Sequence, residues 1–383
     1  MAENTITGLI PDIYEALDIV SRELTGMIPS VSLNASANRA TVGQNIRVDV
    51  EPEGTLVDIT PAMAVPEPAG QTSGFTDIVI TKSQASPFGF NGEDELGLNT
   101  GAGYGTVRAG KIAQAIGKLT NQVEADLCGL QSTFSRAVGT AGTTPFGTAN
   151  DYTDASKALQ VLKDNGSPLQ DNQLVINTNA GVNMLGKQAN VSDAGSDSIL
   201  RQGVLLDVNG MPIRESAQVN TVAAVGTSAN AVTTAGHAVG ATSIVLKAAG
   251  TGTTLAGDVI TFAGDTNQYT VVTGAGAVSG ATIVIAAPGL RQALPAGDKA
   301  ISIAAVSARN MAFNRSAIVL ASRQPARPVE GDMALDVTTI TDPRSGLTME
   351  FAMYPGYRKV RYEVALAWGV KNIKPEHTAL LLG

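Results

Sequence analysis

One stretch of this sequence has the spacing of a phosphate-binding loop: Gly105-Thr-Val-Arg-Ala-Gly110-Lys111, leading into an apolar-periodic segment. Such a loop cradles phosphates with backbone N–H groups and a lysine, and a Ser or Thr after the lysine holds magnesium. That position is Ile112 here, and the preceding Glu93-Asp-Glu-Leu-Gly-Leu run is no buried strand. The motif therefore reads as a turn feeding a helix, with nucleotide binding as the rival use. Glu93, Asp94 and Glu95 lack the alternating ligand spacing of a calcium loop and read as a solvated acidic turn. His237 and His377 with the single Cys128 give no zinc set, and neither Gly-x-Ser-x-Gly nor His-Glu-x-x-His occurs. Cys128 reads as a reduced small hydrophobe beside an apolar seam. The expectation is a protein that is not an enzyme, with no catalytic, cofactor-binding or metal-ligating residues.

The only basic concentration is Arg323, Arg327, Arg358, Lys359 and Arg361, interleaved with Glu330, Asp332 and Glu363. Ion pairing between subunits is the natural use of such a mixture, and weak contact with nucleic acid is the lesser one. Asp58, Lys82, Arg323, Arg327, Arg358 and Arg361 are the candidate subunit-contact residues. Lysine plus arginine total 26 against 34 acids, a net charge of -8, which argues against a dedicated nucleic-acid reader. Apolar residues reach 44%, excluding a disordered chain, while the charged fraction of 16% lies well below the roughly 25% of ordinary soluble domains. A surface so poor in charge is expected to be covered by partners. The acidic start of the chain predicts no secretory leader, so the sequons at Asn34, Asn190 and Asn314 carry no weight. The most apolar stretch, 270–290, is broken by Gly274, Gly276, Gly280 and Pro288, so no membrane span is expected.

The elements that must carry these residues begin with a short amphipathic helix over 11–24, its acids near the end where the helix dipole favours them. Strand-like pieces at 45–50 and 75–81 flank a loop containing Pro52, Pro61, Pro66 and Pro68. So long a proline-rich loop suits an arm lying across a neighbouring molecule. The strongest periodicity runs over 107–137, where Ile112, Ile116, Leu119, Val123, Leu127, Leu130 and Phe134 predict one long helix of roughly 45 Å. Next come a capped helix at 153–165, a strand at 173–177, a helix at 180–188 and a hairpin turning on Asn209-Gly210. Residues 218–305 are nearly free of charge, and short strands at 242–246, 258–262, 268–273, 282–286 and 300–303 predict a small all-β insertion, a barrel or sandwich. A hairpin at 335–353 follows, then one half-buried strand carrying Val360, Tyr362, Val364, Leu366 and Trp368, and a short tail to Gly383.

This order of elements, with Lys118-Leu-Thr-Asn-Gln-Val-Glu124, Ile199-Leu-Arg-Gln202, Gly257-Asp-Val-Ile-Thr-Phe-Ala-Gly264 and Ala365-Leu-Ala-Trp-Gly-Val370 before Lys374-Pro-Glu376, resembles the major capsid proteins of tailed bacteriophages. It resembles more narrowly the coat proteins of short-tailed Salmonella-type phages, which carry an inserted β-barrel domain. The resemblance implies an α+β, tailed-phage/herpesvirus-type capsid fold with a long spine helix, an extended loop and an inserted small all-β domain. It implies an N-terminal arm at 1–40, the extended loop at 41–92, a peripheral domain at 93–149 with its spine at 107–137, an apical domain from 150–217 plus 306–383, and the insertion at 218–305. The partners implied are the chain itself in pentamers and hexamers, a scaffolding protein, a portal protein and packaged double-stranded DNA held by weak non-specific contact, with no membrane. Assembly would take place in the host bacterial cytoplasm, and the shell would mature from a procapsid. A crosslinking role for Lys82, as in one related phage type, lacks an assignable asparagine or catalytic acid. A β-rich phage adhesin or decoration protein is the alternative, and it leaves the long helix without a role.

Overall fold

The computed structural model describes residues 23–50, 61, 74–99, 103–149, 151–187, 205, 207–223, 226–228, 230–233 and 235–383. The expected helix at 11–24, all but its last two residues, lies outside these, as do Asp58 and most of the proline-rich loop.

A helix spanning Tyr104–Gly129, about 39 Å long at 1.5 Å per residue, forms the spine. Ile112, Ile116, Leu119, Val123 and Leu127 recur at helical spacing and are all buried on one side of it. The helix is shorter than the periodicity predicts. It ends at Gly129, a poor helix former, and passes into the 3-10 turn Leu130–Thr133, where the Thr133 hydroxyl donates back to the Leu130 carbonyl. Phe134 is buried as its period requires, but from extended backbone ahead of the strand Arg136–Val138. Gly105 to Lys111 belong to the first turns of the spine, so the phosphate-loop spacing falls on helix and not on a loop.

Among the described residues the strands make one six-stranded sheet, one twelve-stranded sheet and two separate pairs. The first sheet centres on Lys359–Asn372, which pairs Lys82–Asn91 along one edge and Thr348–Gly356 and Ile318–Pro325 along the other. Asp336–Thr341 and the parallel Ser32–Ala40 lie outside those two. The central strand is not half-buried as its alternation suggests. Tyr362, Val364, Leu366 and Trp368 join the cluster under the spine helix, while Ala367 joins a second cluster with Ile78, Ile80, Val319 and Ala321 on the opposite face. Small residues made that second face look polar-neutral in the sequence.

The second sheet holds Thr378–Leu382, a buried strand between Ser307–Asn314 and the parallel Arg136–Val138 where the sequence suggested a tail. Buried on both faces, Thr378-Ala-Leu-Leu-Leu shows no alternation for a period-two search to find. The helices Thr153–Asp164 and Thr178–Lys187 pack their apolar sides into one cluster with this sheet, including Leu162, Met184, Ile176 and Leu381. Asn209 and Gly210 both take positive φ, as a two-residue turn between Val208 and Met211 demands. The residues beyond it then pair elsewhere, Ile213–Glu215 running parallel to Asn172–Ile176.

All five strands expected in the charge-poor region are present, as Ser243–Val245, Val259–Phe262, Gln268–Thr273, Thr282–Ile285 and Lys299–Ile303. They enclose an apolar cluster of their own, with Ile244, Phe262, Tyr269, Val271, Ile283 and Ile301. This region is continuous with the large sheet, because Gln268–Thr273 pairs antiparallel with Arg136–Val138. Arg136, nearly inaccessible, reinforces the junction by donating to Asn267 at 2.8 Å and to Asp164 at 3.2 Å.

Candidate subunit-contact surfaces

One strongly exposed element is a hairpin in which Asn45–Val50 pairs antiparallel with Gly74–Val79, in the register Asn45 to Val79 and Val50 to Gly74. Its outward face is open: Phe75 is 54% exposed, and the Arg47 guanidinium lies 3.7 Å from its ring centroid while reaching Asp77 at 3.5 Å. The opposite face is the packed one: Ile78 and Ile80 are buried in a cluster with Ala367 of the central strand, and Ile46 and Val48 lie partly buried against it. There the backbones come so close that a Cβ on Gly369 would stand 2.1 Å from the Val79 carbonyl oxygen, so only glycine fits.

Two acids on the spine helix fasten the chain segments that flank the hairpin root. Asp126 accepts from Lys82 at 2.6 Å, from Gln122 at 3.2 Å and from the Trp368 indole at 2.9 Å, joining helix, hairpin exit and central strand. Glu124, fully buried, accepts the backbone N–H groups of Met27 at 2.7 Å and Ile28 at 3.0 Å. Desolvation raises the Glu124 carboxyl above the usual carboxylate range, outweighing the donors from Met27, Ser216, Ile28 and Gly26 that favour its ionised form. The segment it holds is tied further by Arg214 on the Ser30 hydroxyl and Arg315 on the Pro29 carbonyl. Neighbouring Cys128 is buried, and desolvation pushes its thiol well up, as befits an inert core cysteine.

Most of the basic residues singled out in the sequence are held by groups of the same chain. Arg323, 9% exposed, donates to the Asn34 side chain and carbonyl and to the Ser322 carbonyl, tying two parallel strands, and burial lowers its pKa. Arg327 bridges buried Glu350 at 2.9 Å and Asp332 at 3.5 Å, and Glu350 also pairs with Arg39. Arg361 pairs with Glu363 at 3.1 Å, and Lys82 is held by Asp126. Arg358 differs: it sits at positive φ in the exposed turn between Thr348–Gly356 and Lys359–Asn372, next to Tyr357. The sequence reading passed over Glu124, Asp126 and Glu350. Their signal was an acid set inside an apolar run, as in Met349-Glu350-Phe351.

Uncovered apolar side chains gather elsewhere on the same sheet. Val329, Met333 and Leu335 precede its edge strand Asp336–Thr341 and are each at least 65% exposed, with Val337 on that strand partly exposed. Such a strip beside a free edge is suited to being buried by another molecule. Among the described residues no group of His, Cys, Asp and Glu is placed to hold a metal ion, and no helix is long and apolar enough to cross a membrane.

A long helix under a sheet whose central strand carries an arm at its edge, joined to a second sheet flanked by short helices, is the α+β architecture of phage capsid proteins, the fold type expected from the sequence. The capsid structure of the cyanophage P-SCSP1u is matched over 100% of this chain and 91% of that one, at a TM-score of 0.51 and 10% identity. The capsid of cyanophage A-1(L) is matched over 94% and 93%, at 0.50 and 11%. A chain of Mycobacterium phage Che8 matches more loosely, at 0.43 and 16% over 96% and 90%. No family model and no curated protein matches the sequence. At these identities the likeness is one of fold.

Proposed function

We propose that this chain is the major capsid protein of a tailed bacteriophage, self-assembling through pentamers and hexamers into an icosahedral head that encloses packaged double-stranded DNA. The observation that carries the proposal is a phage-capsid fold running through the whole chain, with 100% of it aligned to one cyanophage capsid structure. The exposed hairpin and the apolar strip at Val329, Met333 and Leu335 support it, because a subunit needs surfaces that only neighbours cover. Burying each such side chain would contribute about 1.5–3 kcal/mol, and many weak contacts sum over a closed shell.

Within this reading, 1–40 is the N-terminal arm and 41–92 the extended loop that reaches over an adjacent subunit. Residues 93–149 form the peripheral domain, 150–217 with 306–383 the apical domain, and 218–305 the inserted β domain of the Salmonella-type coat proteins. Among the described residues Arg358 has no ion pair, whereas Lys82, Arg327 and Arg361 are paired with acids and Arg323 is held by hydrogen bonds, so these would reach a neighbour only by exchanging partners. Scaffolding and portal proteins are the expected assembly partners, the host bacterial cytoplasm the place of assembly, and the virion the final location. Negative-stain electron microscopy with sedimentation tests the proposal. Closed shells or ring-shaped capsomers are the expected result, and a chain that stays monomeric even when coexpressed with its neighbouring genes would overturn it.

A further inference from the structure

The first part of the spine helix carries positive charge only. In a protein of net charge -8, residues 104–123 contain Arg108, Lys111 and Lys118 and not one Asp or Glu. Lys111, Gln114, Lys118 and Asn121 follow one another at helical spacing, and the first three are exposed on the side turned away from the core. Together with Ser86, Pro87 and Phe88 of the strand alongside, they line an open cleft of about 480 Å³. Among the described residues neither Lys111 nor Lys118 has an ion-pair partner, in contrast to Lys82, Lys157 and Lys247. The cleft therefore presents two free ammonium groups about 10.5 Å apart along the helix, amide side chains between them, and no carboxylate.

We infer that this stripe is the surface on which the subunit meets the phosphate backbone of double-stranded DNA, an assignment that rests on the capsid reading. Lysine ammonium groups neutralise phosphates, and Gln, Asn and Ser side chains donate to phosphate oxygens without reading bases. The one aromatic ring in the cleft, Phe88, stacks on Tyr362 at 5.4 Å between centroids and meets Phe90 edge to face, and the polar groups beside it suit phosphate oxygens and read no base edge. The contact is consequently sequence-independent. Two phosphates per copy make it weak singly, and repetition over a shell makes it count, while the acidic balance elsewhere keeps the wall from gripping the duplex.

The test is lysine acetylation read by peptide mass spectrometry on the full chain, before and after assembly, with and without a 30-base-pair duplex at low salt. The duplex is expected to protect Lys111 and Lys118 several-fold, with the protection fading as salt rises, and to leave Lys157 and Lys163 on another helix unchanged. The double variant Lys111→Gln, Lys118→Gln should lower the slope of log affinity against log salt by about 1.8, the release expected for two phosphate contacts. Equal labelling with and without duplex, or equal protection by polyglutamate at matched charge, would overturn the inference, the latter assigning the stripe to an acidic protein segment. Electron microscopy of the same samples separates the two claims. Shells that form without duplex protection refute the stripe alone, and duplex protection in a chain that never assembles refutes the capsid reading.

Discussion

The spine helix and the hairpin at 45–79 lie on opposite sides of one central strand, and their side chains are spent in opposite ways. The helix turns Ile112, Ile116, Leu119, Val123 and Leu127 inward, and both acids of its second half bind other parts of the same chain. The hairpin keeps Phe75 and Val79 largely outside, and its ion pair, Arg47 with Asp77, lies within the hairpin itself. An isolated two-stranded hairpin is marginal in water. The difference teaches that the frame is held from within the chain, whereas on the capsid reading the outer face of the arm is what a neighbour would cover. Substitutions in the frame should register in the isolated chain, and substitutions in the arm should register in assembly.

Trp368→Ala should have the largest effect. The side chain is fully buried at the centre of the main cluster, and its indole N–H is one of three donors holding Asp126. A loss of about 3–5 kcal/mol in chemical denaturation of the unassembled chain is expected from the cavity alone. A loss below about 1 kcal/mol would mean that the frame, too, depends on neighbours.

Glu124 sharpens the same point through pH. Glu124→Ala leaves the Met27 and Ile28 N–H groups buried without an acceptor and should cost about 1–3 kcal/mol. Because burial raises the carboxyl, the folded chain holds its proton more tightly than the unfolded chain does. That contribution to stability is full below the ordinary carboxylate range and is lost as pH rises through the raised value. Unfolding curves of the wild type should decline across that window, and Glu124→Gln, which cannot titrate, should lack that component.

Lys82→Met should come next, at about 0.5 kcal/mol, since the lysine is partly exposed and Asp126 keeps its other two donors. Its informative readout is proteolysis at the hairpin root, expected to speed up while global stability barely moves. Unchanged proteolysis would show that Ile78, Ile80 and Gly369 hold the root without the ion pair.

Much of this frame was legible in the sequence because helical and strand periodicities report elements with one wet face. The spine, the five strands of the charge-poor region and the hairpin pairing follow from that signal. Thr378–Leu382 escaped because a strand buried on both sides has no period, and the second buried face of the central strand escaped because Ala365, Ala367 and Gly369 are small. The candidate contacts were legible as charges but not as partners. Arg323 is held by hydrogen bonds to Asn34, and Arg327 and Lys82 are paired with Glu350 and Asp126, partners distant in sequence. Composition carried the functional hint, the low charged fraction raising the expectation of surface covered by partners that the assembly experiments test.

The smallest effect on the isolated chain belongs to Phe75→Ala, and it is the one that tests the arm. Phe75 is more than half exposed, and its ring's close neighbour is the Arg47 side chain on the facing strand. Truncating it removes a cation–π contact of about 0.5–1 kcal/mol that stabilises the hairpin without reaching the core. Thermal unfolding of the frame should therefore shift by no more than about 0.5 kcal/mol, within the range of ordinary surface substitutions. In a shell the same ring would be buried against a neighbour, and its loss would recur at every copy. The expected signature is a near-normal monomer that assembles only at a several-fold higher concentration, measured by sedimentation. Wild-type assembly from Phe75→Ala, with Val329→Ala and Met333→Ala alone raising the threshold, would move the contact from the hairpin to the apolar strip at the sheet edge.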